Sequence, residues 1–138
     1  MILVVAAVLV DDLATPTRIL AARRRTPAAL AGYWEFPGGK VEPAEDPVDA
    51  LHRELAEELL ITVELGSELE NPTGRSWPIS ADLEMRLWFA GIKAGVPTAT
   101  GSHDALLWLP AAQLDDVPWL PADTTIVALL RECLDARG

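Results

Sequence analysis

A single cysteine, Cys133, stands among 138 residues. No internal disulfide can form, and its place in a predicted C-terminal helix makes it buried filler rather than a reactive thiol. Basic residues are also scarce, with 11 Lys and Arg against 21 Asp and Glu and a formal charge of −10. A broad nucleic-acid surface needs a basic face to neutralise phosphates, so direct nucleic-acid binding is not expected. An anionic small molecule remains compatible if a divalent cation bridges like to like. Long apolar runs are missing too: the opening MILVVAAVLV is too short to span a bilayer and has no positive n-region to make it a signal peptide. The expectation is a cytoplasmic protein with no membrane association, as a monomer or homodimer. Repeats and low-complexity stretches are absent and 50% of residues are apolar, which excludes disorder over the whole length. The length fits one domain over residues 1–138.

What is present reads as alternating strands and two helices. Residues 2–10 form a buried strand, the stretch from Asp11-Asp12 to Pro16 a turn, and Thr17 to Ala22 a strand expected to pair with the first as a hairpin. Arg23, Arg24 and Arg25 close that strand, either for solubility or, for one of them, as a ligand contact. Trp34-Glu35-Phe36 is a short strand cut off by Pro37-Gly38-Gly39, where paired glycines allow a tight turn and a close backbone approach. Asp46 before Pro47 predicts a helix start, with Asp49 as a weaker capping acid. Ile61–Leu69 and Leu83–Ile92 alternate like strands, and 71–80 and 95–102 read as loops. Ala105–Leu109 is a further short strand, and Asp123–Arg137 a closing helix. Trp77, Trp88, Trp108 and Trp119 read as core or cleft packing. This order contains too few βαβ units for a doubly wound sheet, so an α+β fold with a mixed sheet flanked by helices is predicted.

The helix over EDPVDALHRELAEELLI concentrates acid. Glu54, Glu57 and Glu58 stand at i, i+3 and i+4, so three carboxylates share one patch. Val48, Leu51, Leu55 and Leu59 form an apolar stripe roughly 110° around the helix from them. Like charges at i,i+4 oppose helix stability unless a cation or Arg53 sits between them. A solvated acidic face and a cation site both fit these residues.

The longer motif decides between them. GKVEPAEDPVDALHRELAEELLI, residues 39–61, resembles the Nudix box in its Gly39, Glu45 and Arg53-Glu54-Leu55-Ala56-Glu57-Glu58. WEFPGGKVEPAED is similar to the corresponding start in MutT-type nucleotide pyrophosphohydrolases of that family. The resemblance implies a Nudix-like α/β/α sandwich and a Mg²⁺-dependent enzyme, with Mn²⁺ as substitute. Carried over, it makes Glu57, Glu58 and the Gly38 carbonyl metal ligands, and Glu54 a ligand or the base that activates water. It makes Arg53 the group that holds the acids and Glu45, beside Gly39, a supporting acid. Glu54, Arg53 and Glu57 are thus the expected catalytic residues.

Outside the box, Arg24, Glu35, Phe36 and Asp123 correspond to substrate-contacting positions. Asp123 equally suits a helix N-cap. His103 and Asp104 fall in the loop where relatives supply an additional acid, and His52 is a surface residue without a role. Leu60 stands where the family has Gly, which removes the residue that favours a left-handed C-cap. The implied activity is hydrolysis of (deoxy)nucleoside triphosphates to monophosphate and pyrophosphate. The implied substrates are oxidised dGTP or (d)CTP-type nucleotides, as in pool-sanitising enzymes. ADP-ribose hydrolysis and a silent nucleotide-binding module are the alternatives, and retention of all three glutamates opposes the second.

Overall fold

The computed structural model describes residues 1–74 and 76–137; Arg75, inside the predicted 71–80 loop, and Gly138 lie outside them. The strands are β1 (Ile2–Val10), β2 (Arg18–Arg24), β3 (Trp34–Glu35), β4 (Gly38–Lys40), β5 (Thr62–Leu69), β6 (Trp77–Pro78), β7 (Leu83–Ala94) and β8 (His103–Pro110). The helices are α1 (Pro47–Leu59) and α2 (Thr124–Arg137), with 3₁₀ turns at Ala111–Asp116 and Pro121–Asp123. All eight strands join one sheet with the path β3-β2-β1-β7-β5; β4 pairs with β1, β6 with β7 and β8 with β2.

β1 is central because it is apolar on both faces. Val5, Ala7 and Leu9 pack with Leu51, Leu55 and Leu59 of α1. Ala6, Val8 and Val10 pack with Ile126, Val127 and Leu130 of α2. A strand buried on both sides must satisfy both edges along its length. It therefore runs parallel to β7 over nine paired residues, from Ile2↔Leu83 to Val10↔Gly91. The predicted β1–β2 hairpin reduces to one pair, Val10↔Ile19. β2 instead runs along β8 from Arg18↔Pro110 to Arg24↔His103. The two helices cover opposite faces of a mixed sheet, the α+β arrangement expected from the order of elements.

α1 begins as its sequence predicts. The Asp46 carboxylate accepts from the N–H of Val48 (2.9 Å) and Asp49 (3.3 Å), and Pro47 occupies the first turn. Its end differs from expectation. Leu60 is left-handed (φ 60°, ψ 38°) although it is not glycine, and its N–H returns to the Leu55 carbonyl. Tertiary contacts hold this end: the Leu59 carbonyl accepts from Thr98 N–H (3.0 Å) and the Glu58 carbonyl from Thr100 Oγ1 (2.7 Å). A β-carbon at positive φ is strained, and the Leu60 side chain is 55% exposed. Leu60→Gly is therefore expected to stabilise the protein by about 1 kcal/mol, a Tm rise of about 4 °C. An unchanged or lower Tm would mean that Leu60 carries no strain.

Candidate active site

Gly38 and Gly39 lie in β4 rather than in a tight turn, paired with Ala6 and Val5 of β1. What they need is the absence of a side chain. A β-carbon on Gly38 would stand 1.9 Å from the Val5 carbonyl oxygen, and one on Gly39 2.3 Å from the Glu54 carboxyl carbon. The first glycine lets β4 approach β1, and the second lets the Glu54 carboxylate lie against bare backbone. That brings the loop before α1 onto the acidic face of the helix.

Arg53 organises that face. Its Nε and one terminal nitrogen clamp Glu45 at 2.8 and 2.9 Å, and this terminal nitrogen also donates to the Lys40 carbonyl at 3.2 Å. The other terminal nitrogen reaches Glu54 at 2.9 Å and Glu57 at 3.3 Å. Bidentate, charge-assisted bonding keeps the Glu45 carboxyl down at about 2 and drives the Arg53 pKa upward. Glu54 moves the other way: burial pushes its carboxyl up, the Arg53 bond opposes this, and Glu57 and Glu58 add repulsion. Glu58 leans on a different partner, with Ser102 N–H and Oγ each 3.4 Å from its Oε2.

Across the cleft stand Arg24, Glu35, His103 and Asp123. Arg24 donates to Glu35 Oε2 at 2.9 Å and to the Thr26 carbonyl, also at 2.9 Å. His103 Nε2 lies 2.7 Å from the same Glu35 oxygen. Phe36 is buried and stacks on Trp119 at 4.9 Å with a 30° interplanar angle. Asp123 closes the 3₁₀ turn before α2 and is buried at 5% exposure. Burial first, and the Glu35 charge second, raise its carboxyl to about 8 against the opposing effect of the Phe36 N–H. Among the described hydrogen bonds none joins the Asp123 carboxyl to the first N–H groups of α2, so the N-cap role is not what the fold gives it. Its pKa makes it neutral at pH 7, able both to donate and to accept.

These groups line one hollow of about 530 Å³, shared by Gly38, Glu54, Glu58, Arg24, Glu35, Phe36 and Asp123. Glu57, with a side chain 60% exposed, and Glu45 do not line it and are tied to Glu54 through Arg53. The structure thus gathers the substrate-facing and acidic residues predicted from sequence around one cleft. Asp104 stands apart, ion-paired to Arg23 at 2.7 Å. The sequence placed His103 with Asp104 in a loop expected to supply an additional acid, without giving the histidine a partner. His103 is in fact the first residue of β8 and is buried. Among the described residues no three His, Cys, Asp or Glu side chains already converge as an ion would need. The donor chemistry nevertheless fits a hard divalent cation, with carboxylates on one helix face and the glycine-lined cradle against Glu54.

A family model described as NUDIX domain matches residues 2–132. The chain is 39% identical over 117 residues to "Putative 8-oxo-dGTP diphosphatase 2" of Mycobacterium tuberculosis, covering 85% of this chain and 82% of that one. It is 36% identical over 131 residues to the CTP pyrophosphohydrolase of Escherichia coli K12, covering 92% and 89%. The solution structure of the E. coli ORF135 protein superposes with a TM-score of 0.72 at 34% identity, over 99% of this chain and 93% of that one.

Proposed function

The chain belongs to the Nudix family, and on that premise we propose that residues 1–138 act as one hydrolase domain cleaving (deoxy)nucleoside triphosphates to monophosphate and pyrophosphate. The substrates are of the cytidine or oxidised-deoxyguanosine type, consistent with the activities for which the two relatives are named. One observation carries this reading: the Arg53-organised acids of α1 and the neutral, buried Asp123 face a single cleft from opposite sides. The acids suit a phosphate chain bridged by metal, and Asp123 suits the edge of a base.

In this reading Glu54, Glu57 and Glu58, with the Gly38 carbonyl, hold Mg²⁺ or Mn²⁺. A cation held there would supply stabilisation of the negative charge that develops on phosphate oxygens. Glu57, with a side chain 60% exposed, would be free to turn towards a bound ion. Arg53 keeps Glu54 and Glu57 from splaying apart, and Glu45 fixes Arg53 from the other side. Glu54, packed against Gly39, takes the proton of the attacking water. Arg24 and Glu35 form the polar wall beside the base, and Phe36 an apolar floor stiffened by Trp119.

The neutral Asp123 carboxyl offers one donor and one acceptor side by side. Cytosine presents the complement, a ring-nitrogen acceptor beside an amine donor. Oxidised guanine does so as well, since oxidation puts a proton on the ring nitrogen beside its carbonyl. The same edge of unmodified guanine carries two acceptors. Release of nucleoside monophosphate, which every one of these compounds would yield, is followed with Mg²⁺ across dCTP, CTP, dGTP, oxidised dGTP, dATP and ADP-ribose to test the proposal. Turnover of the cytidine or oxidised-guanine nucleotides above all others is expected. Preferential cleavage of ADP-ribose would contradict it.

A further inference from the structure

Residues 100–103 wrap the carboxylate of Glu58 on the side away from Arg53. Thr100 Oγ1 bonds the Glu57 and Glu58 carbonyls at 3.2 and 2.7 Å. Gly101 lies so close that a β-carbon would stand 2.7 Å from Glu58 Oε2. Ser102 donates to that oxygen, and His103 Nδ1 comes to 3.7 Å from it. The segment is tied down from behind by Arg25, whose N–H donates to the Ser102 carbonyl at 2.7 Å and whose guanidinium donates to the Gly101 carbonyl.

His103 is the link across this segment. Its side chain is 1% exposed, and its Nε2 is bonded to Glu35. Its Nδ1 is buried with no hydrogen-bond partner among the described residues, and it faces Glu58. A histidine serving only as core filler would bury a carbon edge there, because an unpartnered polar atom inside a protein is costly. The contacts of Ser102 and His103 with the Glu58 carboxylate fall on Oε2, and Oε1 has no hydrogen bond among the described residues.

We propose that residues 100–103 are a clasp that fixes Glu58 by its Oε2, and that His103 is its positioning residue, joining Glu58 to Glu35 through one buried ring. The clasp rests on the assignment of Glu58 as a metal ligand. By holding Oε2 it would leave Oε1 free for a cation, while Glu35 keeps its place beside Arg24. Outer groups that orient a ligand in this way govern metal affinity without touching the metal.

The two ring nitrogens can be replaced separately. The amide of Asn occupies the position of Nδ1 and that of Gln the position of Nε2. Mn²⁺ is titrated into the full chain without nucleotide, beside a melting curve for each variant. His103→Gln, which abandons Glu58, is expected to weaken Mn²⁺ binding about tenfold, whereas His103→Asn stays within about threefold of the parent. Any other ranking, including equal affinities for the two variants, overturns the clasp. Should His103→Gln not fold, Ser102→Ala takes its place, with about threefold weaker binding expected and an unchanged Kd overturning the proposal. Glu58→Gln run in parallel separates the two claims. If it binds Mn²⁺ like the parent, the metal assignment itself has failed and the clasp falls with it; if it loses binding while the histidine ranking fails, only the clasp is wrong.

Discussion

Glu58→Gln is expected to lower kcat/KM for the best nucleotide by about 100- to 1,000-fold, the usual cost of removing one group that supports transition-state charge. The substitution keeps the shape of the side chain and removes its negative charge. The fold should survive, because α1 is anchored by Leu51, Leu55 and Leu59, all at 0% exposure, and not by its acids. Removing an acid from the penultimate position of the helix also relieves repulsion with the helix dipole. Melting temperature should therefore stay level or rise slightly while activity collapses. Glu57→Gln should behave in the same way. Its side chain touches only Arg53 among the described hydrogen bonds, so a purely structural role would leave turnover near that of the parent. Near-parental activity in either folded variant would remove that glutamate from the site.

Asp123→Ala is expected to reduce kcat/KM for the preferred nucleotide by about tenfold to a hundredfold, the loss of a good hydrogen-bonded pair to substrate. The preference among bases should flatten, and the Mg²⁺ requirement should persist. Asp123→Asn keeps a donor and an acceptor and should retain much of the discrimination. The sign of the pH effect follows from a folded pKa near 8, raised by burial above the unfolded value of 3.8. Stability from the neutral carboxyl is fully present below the unfolded value and is lost as pH rises through the folded one. The parent should lose both Tm and base discrimination on passing from pH 7 to pH 9. Asp123→Asn, which cannot ionise, should lose less of each. Parallel pH profiles for the two proteins would mean that the carboxyl neither titrates there nor reads the base.

The sequence announced the start and both faces of α1, because helical periodicity, the Asp46-Pro47 cap and the spacing of three glutamates are all local signals. The grouping of Arg53 with Glu45, Glu54 and Glu57 was legible for the same reason, since all four come from one continuous motif. The course of β1 was not. Its main partner is β7, with Val4 beside Met85, and a pairing between residues so distant leaves no mark on either segment. Two buried faces announced a central strand but not its neighbours. Of the two demands read from Gly38 and Gly39, a tight turn and a close approach, the structure uses the close approach, with β1 and Glu54 as the neighbours; the two make the same demand on sequence and differ only in space. Leu60 was misjudged because backbone conformation there is imposed by residues 95–100 folding back on the helix end, against local preference. The sequence named His103 beside Asp104 but not its partners, because Glu35 and Glu58 are brought to its two nitrogens only by the folded chain.

Product identity tests the central claim most directly. Phosphorus NMR of the parent protein incubated with Mg²⁺ and either dCTP or oxidised dGTP resolves which anhydride bond is broken. The predicted result is nucleoside monophosphate and inorganic pyrophosphate in equal amounts, abolished by chelator and reduced to a trace in Glu58→Gln. Nucleoside diphosphate with orthophosphate, or turnover that survives removal of the divalent cation, would contradict it.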